Sequence, residues 1–310
     1  MKRMIMNKFF SKFAATKEFK IDSIADSLLS SKVHLKDEAT VFEKINKIIT
    51  DGPERLQVIT DFDFTITKQH EEGQPMHSSF CIFKKSKQLP SSYLEQSRVL
   101  FEKYRPIELD PRVPRELKAR LLDTWMTSAH RNLKGIRFSR GEMEGLAEQH
   151  GNGFRERTKE LFERLHAKQV PILILSAGLG DVVEALLRRQ GILYDNIHIV
   201  SNFLKYNDGD VLDGFKRPDK VLHVLNKNGH AVDEEYFEVL KNKTNVLLMG
   251  DSLGDADMAE GAKNADNILK IGFLYHHVEE NLPLYKETFD IVLHDDQTMN
   301  VVLDILSPII

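Results

Sequence analysis

Residues 58–65 read V-I-T-D-F-D-F-T. Val58 to Thr60 form an apolar, β-branched run with the composition of a buried central strand. Asp61 and Asp63 follow where that strand should run out into a loop. In an open α/β sheet, ligands bind just beyond the carboxyl ends of the strands. Two carboxylates separated only by Phe62 can face one site if the strand ends in a tight turn. One then serves as nucleophile and the other as general acid and base, with a divalent cation offsetting their repulsion. Alone, D-x-D-x-T is equally the sequence of a polar loop after a strand, and three later stretches bear on the choice.

The chain has 310 residues, 41% hydrophobic and 29% charged, which suits one large domain or two smaller ones. Its formal net charge of -4 gives no electrostatic reason to expect nucleic-acid or membrane binding. No apolar run approaches the roughly 18 residues a membrane span requires. Cys81 is the single cysteine, so neither an intramolecular disulfide nor a cysteine-based structural zinc site is available. That usage fits a reducing compartment, the cytoplasm. The N-terminus carries Lys2, Arg3, Lys8, Lys12, Lys17 and Lys20 against Glu18, with Phe9, Phe10 and Phe13 able to line one helix face. It reads as a solvated helix or arm rather than as a transit peptide.

Residues 21–50 have apolar positions at helical spacing, and Asp51-Gly52-Pro53 ends them before the first strand. After Thr65 the next buried strand is P-I-L-I-L-S at 171–176. The interval far exceeds the roughly 30 residues of a strand–helix–strand unit, so an inserted domain is predicted at 68–165. Ser91–Tyr104 and Pro114–His130 have helical periodicity, Arg140–His166 carries charges suited to exposed helix faces, and Phe154–Lys168 feeds the second strand. Such a helical lid can exclude water and select substrate. From residue 171 onward strands and helices alternate. Strands are predicted at 196–201, 246–249, 268–271 and 291–293, a β-hairpin at 203–215, and helices from 180 to about 190, at Lys220–Lys227 and from Ala256. The predicted organisation is an N-terminal extension (1–35), an α/β core (36–67 and 166–310) with a parallel sheet and helices on both faces, and a helical cap (68–165).

Four places supply what phosphoryl transfer requires. Asp61 and Asp63 are the first. Ser176-Ala177-Gly178 offers a hydroxyl and consecutive N–H groups before a helix, an arrangement that favours an anion; read structurally, it is equally a tight strand-to-helix turn. Lys227 is a cation able to neutralise phosphate oxygens, though most lysines are simply solvated. Gly250-Asp251-Ser252-Leu253-Gly254-Asp255 places two carboxylates around a loop after a buried strand, and hard oxygen ligands of this kind suit Mg²⁺.

Together these motifs resemble the signature of the haloacid dehalogenase superfamily of phosphatases. More closely, D-F-D-F-T-I-T-K, L-S-A-G-L-G-D, V-S-N-F-L, G-F-K, H-V-L-N-K-N, G-D-S-L-G-D-A-D-M-A and L-K-I-G-F-L resemble the cytosolic 5′-nucleotidase III family over roughly residues 40–306. The resemblance implies a Rossmann-like core, hydrolysis of nucleoside 5′-monophosphates through an aspartyl-phosphate, and Mg²⁺ as cofactor. By that resemblance Asp61 is the nucleophile and Asp63 the proton donor. Asp61, Asp251 and the Asp63 carbonyl hold the metal. Ser176, Ala177 and Lys227 bind phosphate, and Asp255 orients groups around the metal and Lys227. The expected partner is a small nucleotide and the expected state a monomer. A phosphatase for another small phosphomonoester, or a catalytically silent nucleotide-binding protein, are the alternatives.

Base recognition is implied for Glu108 and Ser128, which match family positions used for it. The family's Glu-Trp pair before this serine is Asp123-Thr124 here. Trp125 and Phe80 match positions that flank the base. Two aromatic faces favour a cationic, electron-poor ring, and 7-methylguanine is one. The chain therefore resembles the 7-methylguanosine-phosphate-specific branch more than the general pyrimidine branch, with CMP expected as a second substrate.

Overall fold

The computed structural model describes Ile24 and residues 27–110, 112–151, 153–228, 231–232, 234–262 and 264–310. The basic N-terminal arm or helix expected from the sequence lies outside these residues. The strand that carries the first motif, β2 (Leu56–Thr60), is buried along its whole length. It is an interior strand, flanked on both sides, of a seven-stranded sheet. Before it comes β1 (Val33–Leu35); after it, past two short hairpins, come β5 (Ile172–Leu179), β6 (Ile197–Asn202), β9 (Asn245–Gly250), β10 (Asn267–Leu274) and β11 (Ile291–His294). The strand order is β1-β11-β10-β9-β2-β5-β6. All neighbours are parallel except the edge pair β1 and β11.

Alternation along these strands makes two cores. Val58, Ile172, Ile174, Leu247 and Met249 point into one, and Ile59, Leu173, Leu175, Val246 and Leu248 into the other. A sheet apolar on both faces must be covered on both, hence the near-continuous apolar runs. Helices Glu38–Asp51 and Gly180–Arg189 cover the first face, with Val41, Phe42, Ile45 and Val183 buried there; helix Val278–Thr288 lies over the second. Among the described residues no helix is long and apolar enough to cross a membrane.

Between β2 and β5 the chain forms a hairpin of β3 (His70–Glu71) and β4 (Gln74–Pro75), then helices Ser79–Phe83, Ser91–Leu109, Arg115–Leu133, Glu142–His150 and Thr158–Ala167. The two long helices run further than their periodicity suggested, the first passing through Pro106. The predicted hairpin at 203–215 is β7 (Leu204–Asn207) with β8 (Val211–Phe215).

Three local expectations are corrected. The helix expected over 21–50 gives way at Val33-His34-Leu35, which pair with Ile291–Leu293 as an edge strand. Asp37 then restarts the helix as an N-cap that accepts from the Thr40 N–H. Lys220–Lys227 is not helical. The Asn202 amide exchanges hydrogen bonds with both backbone groups of Leu222, and the Asn226 amide bonds Val221 O and His223 N, so side chains take the groups a helix would use. The helix expected from Ala256 is a 3-10 turn, Leu253–Asp257, with Asp255 closing a capping box on Ser252.

Candidate active site

Asp61 stays in the sheet ladder, its N–H donating to Met249 O at 3.0 Å. The chain then folds back sharply. The Phe62 carbonyl accepts from the N–H groups of Thr65, Ile66 and Thr67, and Phe64 takes the left-handed conformation (φ 65°). Thr67 Oγ accepts the Phe64 N–H at 2.8 Å. Arg155 locks the turn from outside: its guanidinium donates to the carbonyls of Thr65, Phe64 and Asp296, and lies 3.9 Å from the Phe273 ring centre. It is 1% exposed, and burial pulls its pKa down to about 10.

Around this turn the strand ends bring four charged groups together. Lys227 Nζ lies 2.8 Å from Asp61 Oδ1 and 2.5 Å from Asp255 Oδ1. Asp255 Oδ2 accepts the N–H groups of Asp251 and Ser252, so that carboxylate is fully engaged. One oxygen from each of Asp61, Asp251 and Asp255 lies within 4.8 Å of the others. Burial would depress Lys227, but the Asp255 and Asp61 carboxylates outweigh it and hold the ammonium well above its ordinary value. Burial raises Asp61, opposed by Lys227, and raises Asp251 further with help from the charges of Asp255 and Asp61. Asp251 and Asp61 each place a carboxylate oxygen within 4.8 Å of the other. Two carboxylates hold that arrangement only with a proton or a cation between them. The all-oxygen donor set and its uncompensated negative charge fit a hard divalent cation.

Asp63 sits beside this cluster. Ser79 N–H donates to its Oδ1 at 2.8 Å and Ser79 Oγ–H to its Oδ2 at 2.6 Å. Burial pushes its pKa up to about 7 against the pull of these bonds. On the other side β5 loses register with β6 between Leu175 and Leu179, and Ser176 Oγ accepts the Gly178 N–H at 3.0 Å. A side chain at Gly178 would meet Ser79 Oγ at 2.2 Å and Asp63 Oδ2 at 2.6 Å, so only glycine fits. Asp61, Asp63, Ser176, Lys227, Asp251 and Asp255 therefore converge at the carboxyl ends of β2, β5 and β9, while Ala177, next to Ser176, has its carbonyl accepting from the Asn202 amide.

The four base-recognition candidates are on the intervening segment. Glu108, at the end of helix Ser91–Leu109, pairs with Arg105 one turn earlier. Trp125 stacks on Tyr104, ring centres 5.8 Å apart and 13° from parallel, and meets Phe101 edge-on. Phe80 has a different aromatic neighbour, Phe215, at 6.3 Å. Ser128 Oγ donates to Thr124 O within its own helix. Two contacts tie helix Arg115–Leu133 to the loops that carry Lys227 and Asp255. His223 Nε2 lies 3.1 Å from Asp123 Oδ1, and Arg115 reaches Asp257 at 2.6 Å. The His223 ring is 4% exposed; burial lowers its pKa, partly countered by Asp123 and Glu108. Sequence reasoning passed over Ser79, Arg155, His223 and Tyr285, whose hydroxyl donates to Asp251 O at 2.6 Å.

The architecture is that of the haloacid dehalogenase-type fold. A HAD family hydrolase from Salmonella enterica shares the fold at TM-score 0.51 and 15% identity, covering 98% of this chain and 93% of that one. A crystal structure of cytosolic 5′-nucleotidase IIIB bound to cytidine superposes at TM-score 0.88 with 41% identity, over 92% of this chain and 95% of that chain. The 7-methylguanosine phosphate-specific 5′-nucleotidase of Drosophila melanogaster is 42% identical over 91% of this chain and 88% of its own length. Residues 64–310 match the pyrimidine 5′-nucleotidase (UMPH-1) family. The chain belongs to that family, whose members are phosphoric monoester hydrolases, and the resemblance read from its motifs is borne out.

Proposed function

We propose that the chain hydrolyses nucleoside 5′-monophosphates, 7-methylguanosine monophosphate and CMP foremost, by way of an aspartyl-phosphate on Asp61. The observation that carries the reading is the Asp61–Lys227–Asp255 chain of contacts beside Asp251, with Asp63 held a short distance away. An Asp61 oxygen attacks phosphorus while Asp63 gives its proton to the departing ribose 5′-oxygen. Water then attacks the phosphorus of the acyl-phosphate, Asp63 takes its proton, and the Asp61–phosphorus bond breaks to release phosphate. Mg²⁺ held by the carboxylates of Asp61 and Asp251 and the Asp63 carbonyl would neutralise charge on phosphate and acids. Lys227 and the Ser176–Ala177 loop bind phosphate oxygens, and Asp255 fixes Lys227.

Residues 68–165 act as the cap over the core formed by 36–67 and 166–310, to whose sheet Val33–Leu35 adds an edge strand. Trp125 and Phe80 flank the base, Glu108 accepts from its N–H groups and Ser128 adds a hydroxyl. The substrate preference is supported by the names of the relatives in Drosophila and of the cytidine-bound neighbour. A cytoplasmic location is supported by the neighbour described as cytosolic. Since one chain supplies every group named, a monomer suffices. Phosphate release from a nucleotide panel, with Mg²⁺ and with chelator, tests the reading. Turnover of both nucleotides that requires Mg²⁺ supports it; metal-independent turnover, or activity confined to phosphoserine or sugar phosphates, overturns it.

A further inference from the structure

Ser79 is 0% exposed and opens the first helix of the segment between β2 and β5, after Ser78 as N-cap. It donates to both oxygens of Asp63, through its N–H at 2.8 Å and its hydroxyl at 2.6 Å. Its own oxygen accepts the Leu179 N–H at 2.9 Å, at the end of β5. That third bond takes one hydroxyl lone pair and leaves the hydroxyl proton for Asp63. Each Asp63 oxygen has two lone-pair directions. With one on each occupied by Ser79, a proton carried by Asp63 lies on a remaining direction, away from the Ser79 side. Gly178 keeps the space open, because a side chain there would come within 2.2 Å of Ser79 Oγ.

We propose that Ser79 is the positioning residue for Asp63, so that the first helix of the inserted segment aims the proton used in leaving-group departure. This rests on the acid–base role proposed above for Asp63. Ser79 itself touches neither phosphate nor metal in this account. The clamp joins three pieces of chain, the turn after β2, the loop ending β5 and the inserted helix, at one buried hydroxyl. A shift of the helix breaks both bonds to Asp63 at once. Aim matters because general acid catalysis needs the donor within hydrogen-bond reach of the reacting oxygen.

The test uses the full chain with Mg²⁺ and two leaving groups. CMP expels a ribose alkoxide that needs a proton, whereas p-nitrophenyl phosphate expels a stabilised phenolate that does not. Ser79→Ala is expected to lower kcat on CMP about 10- to 100-fold, part of the roughly 10²–10⁴-fold an acid–base group supplies. KM should stay within about twofold, and kcat/KM on p-nitrophenyl phosphate should be nearly unchanged. Ser79→Cys keeps a weaker donor in nearly the same volume and should fall between the two. Equal losses on both substrates, a loss confined to KM, or full activity of Ser79→Ala on CMP would overturn the proposal. Asp63→Asn measured alongside separates the two readings. If it too hydrolyses CMP at the parent rate, the acid–base assignment fails. If it is impaired while Ser79→Ala is not, only the role of Ser79 fails.

Discussion

Asp255 holds Lys227: Oδ1 and Nζ are 2.5 Å apart, with side chains 0% and 2% exposed. Because Asp255 spends its other oxygen on the N–H groups of Asp251 and Ser252, the lysine is anchored to the loop that carries the Asp251 carboxylate. The cation that would meet phosphate and the acid that would hold metal therefore move as one unit.

Removing the lysine exposes how much that unit depends on it. Lys227→Met leaves Asp61 and Asp255 buried without their counter-ion, and breaking a buried pair from one side costs about 3–5 kcal/mol. Denaturant unfolding in chelator should show a loss of that order, together with abolished CMP turnover. An unchanged unfolding midpoint would contradict the account of the cluster.

The raised pKa of Asp63 has a stability signature in metal-free protein. In the folded state its carboxyl keeps a proton up to about 7, whereas its ordinary value is 3.8. Between those values the folded form binds more protons than the unfolded form, so stability falls as pH rises. Asp63→Asn removes this loss. Relative to the parent it should gain stability progressively from pH 4 to pH 7 and no more above, by a few kcal/mol at about 1.4 kcal/mol per pKa unit. Asp61 and Asp251 titrate in both proteins and cancel to first order. A parent-minus-variant difference that is flat with pH would contradict the assignment.

Gly178→Ala puts a methyl against Ser79 Oγ and Asp63 Oδ2. Overpacking typically costs about 1–3 kcal/mol. Here it should also lower kcat on CMP at least about tenfold, since Asp63 must shift. Wild-type kinetics would show that the loop relaxes freely.

Trp125→Ala tests base recognition. Base–aromatic stacking is worth about 1–3 kcal/mol, or roughly 5- to 150-fold in kcat/KM at about 1.4 kcal/mol per decade. A loss of that size on 7-methylguanosine monophosphate and a smaller one on CMP is expected. Because Trp125 already stacks on Tyr104, Tyr104→Ala should produce a weaker version of the same selectivity change. Equal losses on both substrates would remove the cationic base from the account.

The carboxylates of the candidate site were legible where they sat at strand ends. Val58–Thr60 and Val246–Met249 are apolar because both sheet faces are covered, and Asp61, Asp63, Asp251 and Asp255 stand out against them. Ser79 and Arg155 were not legible. They reach their partners across 16 residues and 90 or more, and no local pattern separates them from neighbouring serines and arginines. The edge strand at Val33–Leu35 was missed for the same reason, its partner being Ile291–Leu293. At Lys220–Lys227 the helical composition was overridden by the amides of Asn202 and Asn226, one of them from another strand.

Asp61 carries the central claim, and Asp61→Asn tests it most directly. The amide keeps the shape of the side chain but cannot form the acyl-phosphate. Phosphate release from CMP and 7-methylguanosine monophosphate with Mg²⁺ should fall to background, in a preparation shown by mass spectrometry to be free of deamidation and by thermal unfolding to be folded. Turnover within tenfold of the parent in that preparation would contradict nucleophilic catalysis by Asp61.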